Sequence, residues 1–525
     1  MESTLPHHES FASADAYITS LLNFTSSTPL FHQLVGGVHI LDFFTSSPPL
    51  YDSILSESWR DYFETKSIDE ILEILLRTDL STIHPEGIPD SLYEFAENVQ
   101  RHELLREVVK NLGEIEDQHK LNRQRKLAQG MNNKKLHEVE HFARYLSTLL
   151  ASVATDSTGD SITHLVDFGS GQSYLSRILA SPPHNLDLVA VESKASNIEA
   201  GKLLDERVGL TARSQGKTLK ESLNGAEAKK GSIKYVQHII KDESMKEVLE
   251  AVEQSEDENK TENPGFMIIS LHSCGNLIHH ALNALIANDE VKAVAVVGCC
   301  YNLMTERTGP TYKPPYQKYI PAENTPIPSN CLNHHFPLST RLSSQSITLN
   351  ITARMMAVQA PRNWTQATSS DFFKRHFYRA LLQRIFFEKG VLSATEPLIV
   401  GSLRKAAYTG FYEYVTSAVR KILNAATGDV GSSVGEGVKA KIKEVGLDNI
   451  GREEVESYER RYEKGLKELS IMWTLMAFCA GCVESLVVVD RWSYLRENGK
   501  CRIVKVEAAF EYGISPRNLV IVGVK

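Results

Sequence analysis

Five short apolar segments with β-strand patterning alternate with helical segments between residues 163 and 297, and this alternation most constrains the fold. The predicted strands cover residues 163–168, 187–192, 234–240, 266–271 and 293–297. Strands joined by helical crossovers pair in parallel within one sheet, and the helices pack on both of its faces. The sequence therefore predicts an α/β chain built on a doubly wound, Rossmann-like sheet.

The loop after the first strand carries an acid and two glycines. The strand ends near Asp167, and Gly169 and Gly171 follow it. Glycines at this point let the backbone approach a ligand closely while the next helix presents free amide groups. A dinucleotide fingerprint would place a third glycine where this chain has Tyr174, and an acid would not suit a pyrophosphate. The loop therefore favours a cofactor with a cationic group, such as the methionyl ammonium of S-adenosylmethionine.

The next two strands also end in acids. Glu192 ends the second strand, where a carboxylate accepts hydrogen bonds from both hydroxyls of a ribose. Asp242 ends the third strand and is a candidate partner for the adenine amino group, although a solvated acid is an equal alternative. Asp167 and Glu192 could instead only cap helices. Their order with the strands and the glycines favours cofactor binding.

The fourth and fifth strands run into polar segments at residues 271–277 and 298–303. Ligands of such sheets lie beyond the carboxyl ends of the strands, so these segments are expected to face the methyl acceptor. His272 is the candidate for accepting a proton from the acceptor, and Tyr301 or, alternatively, Asn302 is the candidate for orienting it. Cys300 is a candidate nucleophile. A packing role is the alternative for each of these three residues.

The spacing of cysteine and histidine residues does not predict a metal site. One residue separates His272 from Cys274, and Cys299 is adjacent to Cys300, whereas zinc fingers space their ligands differently. The histidine pair at 334–335 could complete a site only if its loop folded back. We therefore predict that no metal is bound.

Composition limits the class and the compartment of the protein. The chain is 42% hydrophobic and 23% charged, which is typical of a globular protein. Its length of 525 residues exceeds that of one ordinary domain and predicts a main domain with large additions. A net charge of −8 gives no support to a sequence-indifferent nucleic-acid binder, which would be basic. The first ten residues lack the layout of a signal or transit peptide, and no apolar run is expected to reach the roughly 18 residues of a membrane helix. These features predict a cytoplasmic or nuclear protein without a membrane segment.

Helical patterning flanks the predicted sheet. Residues 1–128 predict a helical N-terminal domain that could bind a protein partner, and residues 129–300 predict the cofactor-binding core. A Pro-rich loop follows at 301–345, and a helical insertion is predicted at 346–498. Two strands at 499–525 are expected to close the sheet.

Several segments resemble the methyltransferase-like 25 family, which belongs to a broader group of class I methyltransferase domains. These segments are MNNKKLHEV at 131–139, DFGSG at 167–171, LHSCGNL at 271–277, GCCYNL at 298–303, FPLS at 336–339, FYRA at 377–380 and SPRN at 515–518. The resemblance extends over about residues 130–525.

The resemblance implies a seven-stranded class I methyltransferase sheet with a final antiparallel hairpin, and S-adenosylmethionine as the cofactor. It also implies that a basic helix start, from Lys134 and Lys135 through His137 to Glu138, lines the cofactor pocket near the methionyl carboxylate. The chain departs from the family pattern at Asn276, where an aspartate is common, and this puts an acid role at that position in doubt. It also lacks the Asn/Asp-Pro-Pro-Tyr signature of adenine-N6 enzymes after its fourth strand.

Two functions remain open at this point. The first is a methyltransferase acting on a macromolecule, either RNA or protein; the aromatic and basic residues of loop 308–342 suit single-stranded RNA or, equally, a structural cover. The second is a non-catalytic S-adenosylmethionine-binding protein that acts as an interaction module. A nicotinamide oxidoreductase is disfavoured by Asp167 and Tyr174.

Overall fold

A single sheet lies at the centre of the computed structural model, which describes residues 2–109, 127–155, 162–210, 231–253, 264–307, 334–393, 396, 398–425 and 436–525. Its strands are β1 (Glu2–Thr4), β2 (His164–Phe168), β3 (Leu188–Glu192), β4 (Ile233–Gln237), β5 (Phe266–Ser273), β6 (Val291–Gly298), β7 (Ile503–Ala508) and β8 (Leu519–Val524). Within these ranges the eight strands follow the order β1-β7-β8-β6-β5-β2-β3-β4. The predicted α/β sheet is thereby confirmed.

The strand directions place the candidate site. Strands β2 to β6 run parallel to one another, and β8 is antiparallel to both β6 and β7. The closing strands therefore have the antiparallel arrangement that the resemblance implies, and β1 adds a further strand that is parallel to β7. The chain leaves β2 on one side for β3 and returns on the other side for β5. Ligands of open sheets bind at such a reversal, beyond the carboxyl ends of the strands.

The helices cover both faces of the sheet. In chain order they are α1 (Ala14–Ser27), α2 (Pro29–His32), α3 (Leu50–Ile54), α4 (Glu57–Glu64), α5 (Ile68–Leu72), α6 (Asp90–Arg101), α7 (Asn133–Thr155), α8 (Tyr174–Ala180), α9 (Ala195–Val208), α10 (Lys246–Glu253), α11 (Leu277–Ala287), α12 (Thr340–Ser343), α13 (Ile351–Ala357), α14 (Gln366–Glu388), α15 (Phe411–Asn424), α16 (Glu436–Glu444), α17 (Arg452–Arg461), α18 (Glu463–Phe478) and α19 (Ala480–Glu497). Between them and the strands lie two apolar layers.

The N-terminal helices share one hydrophobic core with a face of the sheet. Leu21 of α1 and Val487 of α19 belong to the same buried cluster as Val166 and Ile268 of the strands. On the opposite face, Phe142 of α7 packs in a second cluster with other strand residues. The domain boundary predicted at residue 128 stays a prediction, because the packing on the first face is continuous across it.

The helix pair α18 and α19 corrects one expectation from the sequence. By length and composition, the segment Glu463–Glu497 could cross a membrane, since its most apolar window has a mean hydropathy of 1.9. The expectation that no apolar run reaches that length is therefore wrong. However, 94% of this window is buried inside the protein, and the core helix of a globular protein passes the same test.

Most of the Pro-rich segment predicted at 301–345 lies outside the described residues. Its two ends are described and meet in a short bridge between Glu306 and Phe336. Leu338 and Ser339 then donate backbone hydrogen bonds to the buried carboxylate of Asp490, at 2.7 and 2.9 Å. The described ends of the segment are thus fixed to α19.

Candidate functional site

The loop between β2 and α8 forms the centre of the site. Gly169 and Gly171 have φ angles of 71° and 58°, a backbone region that favours glycine. A Cβ atom placed on Gly171 would meet no atom within 4 Å, so the space next to this residue is open. Below the loop, the buried Asp167 accepts a hydrogen bond at 2.7 Å from the hydroxyl of Ser176 in α8. The loop thus combines room for a ligand with a buried carboxylate.

The carboxyl group of Asp167 is easier to protonate than an ordinary aspartate. Burial is the main cause and raises its pKa to about 6, while the hydrogen bond from Ser176 acts in the opposite direction. A cation bound beside Asp167 would stabilise the ionised form.

Glu192 connects the end of β3 to the glycine loop. One of its carboxylate oxygens accepts the backbone N–H of Gly171 at 2.9 Å, and the other accepts that of Lys194 at 2.8 Å, just before α9. Next to it, a pocket of about 460 Å³ lies at the ends of β3 and β4. It is lined by Ser193, Gln237, His238, Ile239 and Lys241. Glu192 therefore joins the glycine loop to the start of α9, and its neighbour Ser193 lines a pocket large enough for a heterocyclic base.

Asp242 lies farther along the chain than the predicted strand end. Strand β4 stops at Gln237, the residue that pairs with Glu192, because β3, its partner, also ends there. Asp242 is exposed and accepts the backbone N–H of Ser244 at 2.9 Å. Its predicted contact with adenine stays a prediction. Residues 237–239 and 241 line the pocket next to Glu192, and Asp242 is not among the lining residues.

The first turns of α7 place basic residues around the loop. Lys134 is about half exposed and lies 3.8 Å from Glu138. His137 faces the segment after β7, because its Nε2 atom accepts the backbone N–H of Glu511 at 3.3 Å. Lys135, which belongs to the segment that the resemblance places at the pocket, has its Nζ atom 4.3 Å from the centroid of the Tyr174 ring. Tyr174, at the position of the third glycine of a dinucleotide loop, thus offers an aromatic ring that contacts a cation.

A histidine–carboxylate pair borders the same edge. The Nε2 atom of His272, at the end of β5, lies 3.3 Å from Oε2 of Glu138, and the His272 side chain is 44% exposed. Glu138 is buried and also accepts a hydrogen bond of 2.5 Å from Ser515. Burial acts to raise the pKa of Glu138, but the hydrogen bonds from His272 and Ser515 outweigh it, so the pKa is lowered. An anionic Glu138 therefore orients a histidine whose ring is open to solvent.

Tyr301, the other polar candidate, is buried beneath this edge. Its side chain is 3% exposed, and its hydroxyl donates a hydrogen bond of 2.8 Å to Glu484 of α19. Glu484 also forms ion pairs with Arg106 and, at 2.6 Å, with Arg517. Burial and the charge of Glu484 raise the pKa of Tyr301. This geometry favours a structural role, and the predicted orientation of the acceptor by Tyr301 stays a prediction.

Comparison with known proteins shows that most of these residues lie in one region that matches a protein family model. Residues 134–307 match a family model described as a methyltransferase domain. The chain carries a methyltransferase domain. The match begins at Lys134 and includes the glycine loop, Glu192 and His272, and with the sheet order it gives the class I methyltransferase fold.

Curated relatives agree with this assignment. The chain is 26% identical over 265 residues to a probable methyltransferase-like protein 25 of Mus musculus, and 24% identical over 261 residues to that of Homo sapiens. Each match covers 49% of this chain and 37% of the relative, so just over a third of each relative's length is matched. The resemblance to this family is thus confirmed. No solved structure matches the chain.

Three cysteines of the methyltransferase domain converge beside His272. Parallel pairing places Ser273 of β5 opposite Gly298 of β6, so the residues that follow, Cys274 and Cys299, are neighbours. Their sulfur atoms are 3.4 Å apart, and those of Cys299 and Cys300 are 3.3 Å apart. The hydrogen bond from Cys299 is the main cause that lowers the pKa of Cys274 to about 6, whereas burial is the main cause that raises the pKa of Cys300. Among these thiols, Cys274 ionises more readily than the predicted nucleophile Cys300.

Sequence reasoning missed Ser515 as a site residue, although the segment from Lys134 to Glu138 was expected to line the pocket. Ser515 lies in a segment that resembles the methyltransferase-like 25 family, so that resemblance was the available signal. Its partner Glu138 is 377 residues away along the chain. Only the folded chain brings the two residues together.

Proposed function

We propose that the chain transfers a methyl group from S-adenosylmethionine to a macromolecular acceptor, either RNA or protein. One observation carries the proposal: the glycine loop with Asp167 and Glu192 lies on the same edge of the sheet as the pair formed by His272 and Glu138. The first group suits a cofactor, and the second suits an acceptor next to it.

The residues on this edge fit S-adenosylmethionine by their chemistry. Asp167 offers a buried anion for an ammonium group, and Glu192 offers acceptors for ribose hydroxyls. Lys135, beside Tyr174, supplies a positive charge for a carboxylate, and the pocket next to Glu192 offers space for adenine. When bound, the cofactor supplies an electrophilic methyl group on its sulfonium.

His272 is the proposed base. Its Nε2 atom faces Glu138, and a hydrogen bond there leaves Nδ1 as the basic nitrogen for a proton of the acceptor. The negative charge of Glu138 would stabilise the imidazolium formed in this step. Such an arrangement needs mainly correct positioning, because methyl transfer is an in-line displacement.

The exposure of the acceptor side supports a large acceptor. Both His272 and Cys274 are exposed, so a base or a side chain of a macromolecule could reach this edge. The net charge of −8 gives RNA no added support. We further propose a cytoplasmic or nuclear location and a protein partner for the N-terminal helical region.

A transfer assay tests the proposal. Full-length protein would be incubated with tritiated S-adenosylmethionine and fractionated cell extract, with the product then treated with nuclease or protease. Label in macromolecules that one of the two treatments releases would support the proposal and identify the acceptor class. Cofactor binding by calorimetry without any transfer would favour the non-catalytic binding module instead.

Replacing Glu192 by alanine is expected to weaken binding of S-adenosylhomocysteine by about 1–3 kcal/mol, since buried ribose hydroxyls would lose a charged acceptor. Titration calorimetry measures the effect. Glu199→Ala is the matched control, because Glu199 is exposed on the helix that follows Glu192. Equal affinities of the two variants would mean that Glu192 has only a structural role at the start of the helix.

Binding of S-adenosylhomocysteine should depend on pH through Asp167. A cationic ammonium binds the ionised carboxylate, so affinity should be constant above about pH 6 and should fall below it by up to about tenfold per pH unit. Asp167→Asn should bind more weakly and with a flat profile over the range in which both proteins stay folded. An unchanged wild-type affinity between neutral pH and about pH 5 would exclude Asp167 as the partner of the ammonium.

A further inference from the structure

The cluster of Cys274, Cys299 and Cys300 has the spacing of a metal site. All three sulfur atoms lie within 4.8 Å of one another, and two of the separations are 3.3 and 3.4 Å. Three sulfurs bound to one zinc ion at about 2.3 Å with tetrahedral angles lie about 3.8 Å apart. The two shorter separations are about 0.4–0.5 Å below that value and the third is at most 4.8 Å, so small side-chain rotations would suffice to bind the ion.

A buried cation lies next to the cluster and would favour negative charge there. Arg491 is 1% exposed, and its Nε and Nη1 atoms have no hydrogen-bond partner among the described residues. A Cβ atom placed on Gly298 would lie 2.7 Å from Nη1 of Arg491, so the guanidinium packs against the residue before Cys299. Burying an unpaired charge is costly unless opposite charge lies near it. Thiolates at the cluster would add to the charges of Glu484 and Asp490, which also act on Arg491.

The cluster is also accessible. Cys274 is exposed, and Cys299 and Cys300 are half-buried, so an ion can enter from solvent without opening the core. Spacing in the sequence reflects only separations along the chain. In the fold, two neighbouring strands end next to each other, and this brings the three cysteines together.

We propose that Cys274, Cys299 and Cys300 bind a zinc ion through three thiolates, with the fourth coordination position open toward the acceptor side. Each thiol that becomes a ligand releases its proton to solvent, and no oxidant or reductant is needed. Three thiolates and one Zn²⁺ leave a net charge of −1, next to the guanidinium of Arg491. An open fourth position is typical of catalytic zinc sites, whereas structural sites are closed by four protein ligands.

Cobalt titration of the full-length protein tests this site without any need for the methyl acceptor. Reduced, metal-free wild type should bind one Co²⁺ per chain with thiolate-to-cobalt charge-transfer absorption and the visible bands of tetrahedral cobalt. Stoichiometric Zn²⁺ should abolish both signals. Cys299→Ser should lower cobalt affinity by at least about 100-fold, since even the loss of outer-shell groups costs 10–100-fold.

Two further variants make the result decisive. Cys274→Ser changes the exposed member of the cluster and should lose affinity like Cys299→Ser, even if the latter folds poorly. Cys501→Ser changes a buried cysteine outside the cluster and should keep wild-type affinity. The proposal is overturned if reduced wild type gives no thiolate–cobalt absorption, or if Cys274→Ser binds cobalt as wild type does. It is also overturned if Cys501→Ser loses as much affinity as Cys274→Ser. Because the readout is metal binding alone, a failure of methyl transfer would leave this result unaffected.

Discussion

Replacing Glu484 by alanine is expected to lower the free energy of unfolding by about 3–5 kcal/mol, the usual cost of removing one partner of a buried ion pair. Glu484 is 2% exposed and pairs with both Arg106 and Arg517. Burial alone would raise its pKa, but these two arginines outweigh burial and lower it. Without this carboxylate, the cations would remain clustered in the interior with less opposite charge.

Urea denaturation of the purified variants measures this loss. Glu73→Ala provides the control, because it removes an ion pair with Arg77 that is largely exposed to solvent. Exposed pairs of this kind contribute less than about 1 kcal/mol. Similar losses in the two variants would mean that the Glu484 network does not hold the surrounding segments together.

Replacing His272 by phenylalanine is expected to reduce methyl transfer by about 10²–10⁴-fold, which is the usual contribution of a positioned base. Affinity for S-adenosylhomocysteine should stay close to that of wild type, because His272 borders the acceptor side. Transfer from the tritiated cofactor and calorimetry measure the two effects separately. His84→Phe, which changes an exposed histidine in the N-terminal region, is the matched control.

Tyr301→Phe separates the two residues that the sequence placed at this edge. The hydroxyl of Tyr301 donates a hydrogen bond to the charged carboxylate of Glu484, so its loss should cost about 1.5–3 kcal/mol of stability and leave transfer nearly intact. If instead Tyr301→Phe abolished transfer while His272→Phe retained it, the roles assigned to the two residues would be exchanged. The cofactor residues would be unaffected by that outcome.

Local patterns predicted the sheet well, because they depend on residues that are close along the chain. Strand β5 was predicted at 266–271 and continues to Ser273, with only His272 exposed. Strand β4 was predicted to reach residue 240 and ends at Gln237, since its pairing partner β3 stops at Glu192. The end of an edge strand thus depends on its neighbour, which periodicity along one segment does not reveal.

The candidate site likewise contains some residues that the sequence could place and others that it could not. Asp167, the glycines and Glu192 follow consecutive strands and could be placed from their order alone. The pairs His272–Glu138 and Tyr301–Glu484 join residues that are 134 and 183 positions apart, and no pattern in the sequence relates them. Cys274, Cys299 and Cys300 were weighed as metal ligands and rejected on their spacing along the chain, which does not show that the ends of two adjacent strands bring their sulfur atoms together.

The position of β8 has a consequence for the synthesis of this protein on the ribosome. Strand β8 fills the space between β6 and β7, and β7 in turn holds β1. While residues 503–524 remain to be translated, β6 is an open edge made of apolar residues, and β1 has no strand to pair with. Open edges of this kind recruit other strands and promote aggregation. Completion of the sheet therefore waits until residues 503–524 have been synthesised, and the nascent chain is expected to depend on chaperones until then.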